Sequence, residues 1–196
     1  MKITDLNLSK AYSYAEYSRW KFKEQTELIN GKVFVNHASP APVHQEITLK
    51  IALAMLNHVQ HTPWKVYIAP FDVRIPRDSV KDKDIFTVVQ PDICLICDRS
   101  KLDENGCIGA PDIVVEILKP GNTEKELKYK YAVYEEAGVK EYWVVTPMLQ
   151  SIFIYHQQNG QFQSYRPLVK GDIINTSLLP GFELDVTSIF RGMKPL

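Results

Sequence analysis

Three cysteines in 196 residues are too few, and odd in number, for a disulfide framework, so reduced thiols in a reducing compartment are expected. Cys94 and Cys97 form a C-x-x-C, but they sit in an apolar run that reads as a strand, where positions three apart face opposite sides. No second pair exists, and Cys107 alone does not complete a tetrahedral set, so neither a zinc knuckle nor a redox dithiol is expected. Long hydrophobic runs are also missing: none approaches the ~18 apolar residues of a membrane span, and Met1-Lys2-Ile3-Thr4-Asp5 is not a leader. A soluble, cytoplasmic protein without a membrane partner is the expectation. Net charge is absent too. Lys plus Arg and Asp plus Glu both count 23, so the whole-molecule field does not attract a polyanion, and any nucleic-acid binding must use a local basic face. With no repeat or low-complexity stretch to divide it, the chain is read as one domain over residues 1–196.

What is present is 45% hydrophobic and punctuated for an α/β fold. Tyr12 to Trp20 reads as a short amphipathic helix. Glu27 to Ile29 and Lys32 to Val35 flank Asn30-Gly31, a strong hairpin signal because both turn residues tolerate positive φ. From His44 to His58 a stripe of Ile47, Ile51, Ala54, Met55 and His58 follows the helical period. Strands are expected over Trp64 to Ile75, Val88 to Ile96 and Ile113 to Leu118, with charged loops at Arg77 to Asp84 and Asp98 to Asn105. A second helix begins at Asn122-Thr123, carries the stripe Leu127, Tyr131 and Tyr134, and closes at Gly138. A strand at Glu141 to Val145 and a hairpin around Asn159-Gly160 follow, and Val186 to Phe190 reads as a terminal helical turn.

The chemistry-bearing residues are two aspartates that follow prolines and one glutamate. They lie in Gln90-Pro91-Asp92-Ile93 and in Pro111-Asp112-Ile113-Val114-Val115-Glu116-Ile117-Leu118. A carboxylate inside an aliphatic run loses solvation unless a cation or donors meet it, which makes a metal site the first hypothesis. On one strand Asp112 and Glu116 stand about 13 Å apart, too far to share an ion. Asp92 on a neighbouring strand can share one with Glu116. That leaves Asp112 as a strand-entry residue that accepts hydrogen bonds. Hard oxygens, supplemented by the backbone carbonyl of Ile117, suit Mg²⁺ or Mn²⁺. His58 and His61 have no third ligand and are read as structural or surface residues.

The order helix, strand, Pro-Asp strand, Glu strand, helix, strand resembles the PD-(D/E)XK core of restriction-endonuclease-like proteins. Within that superfamily the wording resembles the Uma-two family of bacterial endonucleases. The resemblance rests on Glu27-Leu28-Ile29-Asn30-Gly31, on Ser39-Pro40-Ala41-Pro42 with His44-Gln45, on Pro70-Phe71-Asp72-Val73-Arg74, on the two segments above, on Lys130 with Tyr134, on Ala137-Gly138-Val139 with Glu141-Tyr142-Trp143, and on Pro180-Gly181-Phe182. It implies a mixed β-sheet flanked by helices, with β-hairpins added at the N- and C-terminal ends. Two departures stand out: Lys119-Pro120-Gly121-Asn122-Thr123 where the family loop reads Ser-Pro-Ser-Thr, and Glu126 where an aspartate is usual.

The resemblance also implies a metal-dependent endonuclease that hydrolyses phosphodiester bonds of nucleic acid, DNA in the first instance. Leu118 stands where the superfamily carries its lysine, and the resemblance implies that Lys130 on the following helix takes that role. Helical geometry agrees, since Lys130 lies about 40° from Tyr134 and its stem can cross the sheet toward Glu116. Glu27 is an additional catalytic carboxylate. His44 and Gln45 either contact substrate or cap their helix, and Lys119, Lys125 and Lys128 are the local lysines for phosphate contacts. Glu126, at i, i+4 to Lys130, either orients it or forms a plain surface pair. A homodimer is expected of an enzyme that must reach both strands. The competing reading is a catalytically silent nucleic-acid- or protein-binding module on the same scaffold.

Overall fold

The computed structural model describes residues 3–36, 41–119 and 124–193. Two mixed six-stranded sheets organise the chain. The first has the order Gln161–Ser164, Ser151–Gln158, Glu141–Thr146, Ile113–Ile117, Ile93–Ile96, Lys65–Ile68. Only Ile113–Ile117 and Glu141–Thr146 run parallel, joined by the crossover helix Glu124–Ala137. The second sheet has the order Lys32–Asn36, Gln25–Ile29, Val88–Val89, Val73–Arg74, Gly106–Ile108, Leu102–Asp103. The fold is therefore α/β with mixed sheets flanked by helices.

Proline explains where the structure departs from the sequence reading. The expected strands Trp64 to Ile75 and Val88 to Ile96 are each broken in two, one half in each sheet. Lys65–Ile68 gives way at Pro70 to Val73–Arg74, and Val88–Val89 gives way at Pro91 to Ile93–Ile96. A proline has no N–H to donate to a ladder, so the chain leaves one sheet there and enters the other. Asp92 consequently sits in the passage between sheets, just before a strand rather than within one.

Other boundaries also shift. The first helix is only Tyr14–Tyr17, because Tyr12, Tyr17 and Phe22 pack around Trp20, Tyr12 edge to face and the others tilted, instead of lining one helical face. The long helix is Pro42–Val59, opened by a proline in its first turn. Its buried stripe is His44, Ile47, Ile51, Met55 and Val59, so Ala54 and His58 fall outside it, and His58 meets the ring of Phe182 edge-on. The segment Asp98 to Asn105 is more than a loop, since Leu102–Asp103 pairs with Gly106–Ile108. The C-terminal hairpin, which turns at Asn159-Gly160, extends the first sheet rather than standing apart from it. The N-terminal hairpin, with Asn30 and Gly31 both at positive φ, forms the edge of the second sheet. The cap expected at Asn122 and Thr123 lies outside the described residues, as do the side chains of Lys125 and Glu126.

The strand Ile113–Ile117 is buried on both faces, which is why its residues read as a continuous apolar run. Ile113, Val115 and Ile117 pack with Ile47, Ile51 and Met55 of the long helix. Val114 packs with Val133 and Tyr134 of the crossover helix and with Val73 and Val89 of the second sheet. Alternation then sends Glu116 to the crossover-helix side. Among the described residues no helix is long and apolar enough to cross a membrane.

One glycine allows a close approach within the second sheet, where Gly106–Ile108 runs beside Val73–Arg74. Gly106 has φ +128°, and a Cβ there would lie 2.2 Å from the carbonyl oxygen of Asp72, which accepts the Cys107 N–H at 2.8 Å. Gly106→Ala is expected to cost about 2 kcal/mol in urea unfolding, from backbone strain at positive φ and the displaced contact. An unchanged midpoint would show that the approach is not needed.

Candidate functional site

The antiparallel register pairs Ile93 with Val115, which places Asp92, one residue earlier, across from Glu116. The two carboxylates sit on the same face of adjacent chain segments. Asp92 Oδ2 accepts the Ile117 N–H at 2.7 Å, a donor made available where the ladder ends at Pro91. His44 Nε2 stands 3.1 Å from Asp92 Oδ1, close to it but off the axis of a hydrogen bond. The other carboxylate is more tightly bound. Glu116 Oε1 accepts from Lys130 Nζ at 2.8 Å and from the Tyr134 hydroxyl at 2.7 Å. Lys130 Nζ also lies 3.0 Å from Glu27 Oε1, which accepts the Gln90 N–H at 2.6 Å.

Asp92, Glu116, Glu27, Lys130 and His44 thus meet in one cluster, with side-chain exposures of only 9 to 17%. The sequence separations are long: Glu27 and Lys130 come from opposite ends of the chain. Burial, reinforced by the neighbouring Asp92 and Glu27 charges and opposed by Lys130, pushes the Glu116 carboxyl up to about 7. Burial also disfavours the Lys130 ammonium, yet Glu116 and Glu27 outweigh it and hold the lysine well above its ordinary value. Asp92 goes the other way. Its burial is overcome by His44, the Ile117 N–H and Lys130, which keep it below the usual carboxylate range. The Tyr134 phenol is held neutral by burial and by the adjacent Glu116 charge, and therefore acts as a donor.

Asp92 and His44 open into a groove of about 1040 Å³. One wall carries Tyr14, Tyr17, Trp20 and Phe22, and the other carries Leu49, Ala52 and Ile68. Gln45 and Lys119 line the groove, whereas Lys128 is exposed on the crossover helix and is not part of the lining. Ile117 enters the cluster through its N–H. Asp112 sits at the far end of its strand, where it accepts from the Cys97 N–H at 2.8 Å and meets Lys140 Nζ at 2.7 Å, the strand-entry role read from sequence. All three cysteines are free, and burial raises the thiols of Cys94 and Cys107, so neither is an activated nucleophile.

Sequence reasoning passed over three participants. Tyr134 was counted only as an apolar stripe residue, although it follows Lys130 by four positions and a buried tyrosine hydroxyl needs a partner. Gln90, inside the Pro-Asp motif itself, donates from Nε2 to Asp72 Oδ1 at 2.7 Å and accepts from Gln25 at 2.9 Å. Burial raises the Asp72 carboxyl against these donors. This amide and acid network forms the groove floor beside Asp92.

No curated protein matches the chain. Among solved structures it is similar to that of a putative nuclease belonging to DUF820 from Anabaena variabilis ATCC 29413, at 19% identity and a TM-score of 0.72. The match covers 91% of this chain and 97% of that one, which shows a shared fold. A family model, "Uma2: Putative restriction endonuclease", matches residues 14–187. Because that match starts at the helix walling the groove and runs past the crossover helix that supplies Lys130, it takes in every residue of the cluster: the chain belongs to the Uma2 family.

Proposed function

We propose that this chain is a metal-dependent endonuclease that hydrolyses phosphodiester bonds of DNA, with Mg²⁺ or Mn²⁺ as cofactor. The observation that carries the reading is the placement of Asp92 across from Glu116 with Lys130 Nζ 2.8 Å from the latter. The donor chemistry fits such an ion. Among the described residues no group of three or more His, Cys, Asp or Glu side chains is placed to hold a metal ion. Mg²⁺ does not need such a group, because it keeps several waters and commonly uses one or two carboxylates together with substrate phosphates. Asp92 and Glu116 would hold it, with the Ile117 backbone adjoining.

When bound, such an ion polarises a phosphate oxygen and lowers the pKa of a coordinated water. The protein's own groups do the rest. His44 and the Ile117 N–H fix the Asp92 carboxylate, and Tyr134 restrains Glu116. Lys130, 2.8 Å from Glu116 Oε1, would present its ammonium to the transition-state phosphate. Glu27, which shares Lys130, keeps that ammonium protonated and aimed. The working form is a cytoplasmic homodimer, each copy addressing one strand, in a compartment where the three thiols remain reduced.

Incubating the protein with linear and supercoiled DNA in Mg²⁺ or Mn²⁺ tests the reading. Cleavage that stops on chelation is expected. Failure to cut DNA in either ion, with binding retained, would leave the silent binding module as the better description.

A further inference from the structure

Residues Arg19-Trp20-Lys21-Phe22-Lys23 follow the short helix in an open run whose exposure alternates strictly. Arg19, Lys21 and Lys23 are exposed, whereas Trp20 and Phe22 are half-buried with ring centroids 5.2 Å apart. Trp20, Phe22 and Lys23 line the groove that leads to Asp92. Among the described residues, the side chains of Arg19, Lys21 and Lys23 have no hydrogen-bonding or ionic partner. Three adjacent cations are therefore unmatched at the mouth of a groove whose lining otherwise includes Glu24, Glu46, Asp72 and Asp92. The lining acids repel a polyanion, and apart from Lys119 the cations that offset them lie along this rim.

We propose that residues 19–23 grip a locally unpaired nucleic-acid strand and feed it to the Asp92 and Glu116 carboxylates; this deepens the nuclease reading above and rests on it. Arg19, Lys21 and Lys23 take the phosphates, and a base stacks on the wall formed by Trp20 and Phe22. Size favours one strand over two. About 1040 Å³ is the scale at which a few unpaired nucleotides fill the groove. Of the two carboxylates Asp92 lines the groove at 12% side-chain exposure, and Glu116, 10% exposed, stands outside the lining, so a phosphate must enter deeply to meet them. An unpaired strand can fold inward, and a basic run interleaved with aromatic rings is the general chemistry of single-strand binding.

The test is equilibrium anisotropy with the intact chain in Ca²⁺, comparing a labelled 12-nucleotide DNA single strand with a blunt duplex of the same sequence, alongside cleavage of both in Mg²⁺. The single strand is expected to bind at least tenfold more tightly. Replacing both Lys21 and Lys23 by glutamine should weaken it and flatten the plot of log affinity against log salt by about 1.4, the change for two lost single-strand phosphate contacts. Trp20→Leu should cost about tenfold, and Trp20→Phe should restore most of that, which a purely structural ring would not require of affinity. Equal binding of duplex and single strand, or parental affinity and salt slope in the double lysine variant, overturns the grip. Metal-dependent cleavage of duplex under those outcomes would leave the nuclease reading standing, whereas no cleavage of either substrate removes that reading itself.

Discussion

Lys130→Met is expected to lower the cleavage rate by about 10² or more and, in the metal-free protein, to lower stability by about 3 kcal/mol. The two effects come from one ammonium. Its Nζ lies 2.8 Å from Glu116 Oε1 and 3.0 Å from Glu27 Oε1, and it is the cation closest to both. Methionine keeps most of the apolar stem but leaves two buried carboxylates with only the neutral donors Tyr134 and the Gln90 N–H and no cation between them. For a chain of this size the loss corresponds to a melting temperature lower by about 6–12 °C. A divalent ion at the carboxylates restores the missing charge, so saturating Mn²⁺ should stabilise the variant more than the parent. The exposed Lys128, changed to methionine in the same way, should alter neither quantity. Adding Leu118→Lys to Lys130→Met returns an ammonium to the strand end and should recover part of the rate. A Lys130→Met variant that cleaves at the parental rate would move the catalytic charge to another lysine. One that melts with the parent would show that the carboxylates are not held by this lysine.

The site was legible in sequence to the extent that it is local. Asp92 follows a proline and Glu116 is surrounded by aliphatic residues, and both facts mark carboxylates that folding must accommodate. Lys130 was reached through family resemblance and helical geometry, because nothing in its own neighbourhood separates it from Lys125 and Lys128. The contacts of Glu27 with Lys130 and of His44 with Asp92 join segments far apart in the chain, and no period or spacing encodes them. The second sheet was hidden for a different reason. Val73–Arg74 and Val88–Val89 are two residues long, too short to show alternation, and each merges by sequence into the strand beyond Pro70 or Pro91. The physical effect of those prolines is to pass the chain between sheets, which is what brings Asp92 beside the end of the Glu116 strand.

Asp92→Asn and Glu116→Gln are expected to abolish cleavage alike, by about 10² or more, while changing stability in opposite directions. The Asp92 carboxylate is favoured in the folded protein: burial opposes it, but His44, the Ile117 N–H and Lys130 hold its pKa below the unfolded value. Such a group stabilises the fold above its unfolded pKa, and the contribution disappears as pH falls through the folded one. Asparagine can still accept from Ile117 but carries no charge, so Asp92→Asn should cost about 1 kcal/mol at neutral pH. Glu116 has the reverse sign. With its folded pKa pushed up to about 7, against an ordinary value of about 4.3, the folded state binds more protons between those values. Stability is therefore lost as pH rises through that window. Glu116→Gln removes the loss and leaves Glu27 to pair with Lys130, so it should stabilise the metal-free protein by about 1–3 kcal/mol at pH 8. Melting temperatures from pH 4 to pH 8 decide the matter: Asp92→Asn should melt below the parent across that range, because the Asp92 carboxyl titrates beneath it, whereas Glu116→Gln should match the parent near pH 4 and melt above it past neutrality. A Glu116→Gln protein that melts below the parent at pH 8 would mean that the bonds from Lys130 and Tyr134 outweigh the burial of that carboxylate. The cluster would then be tuned for the stability of the metal-free chain rather than poised to take up a cation.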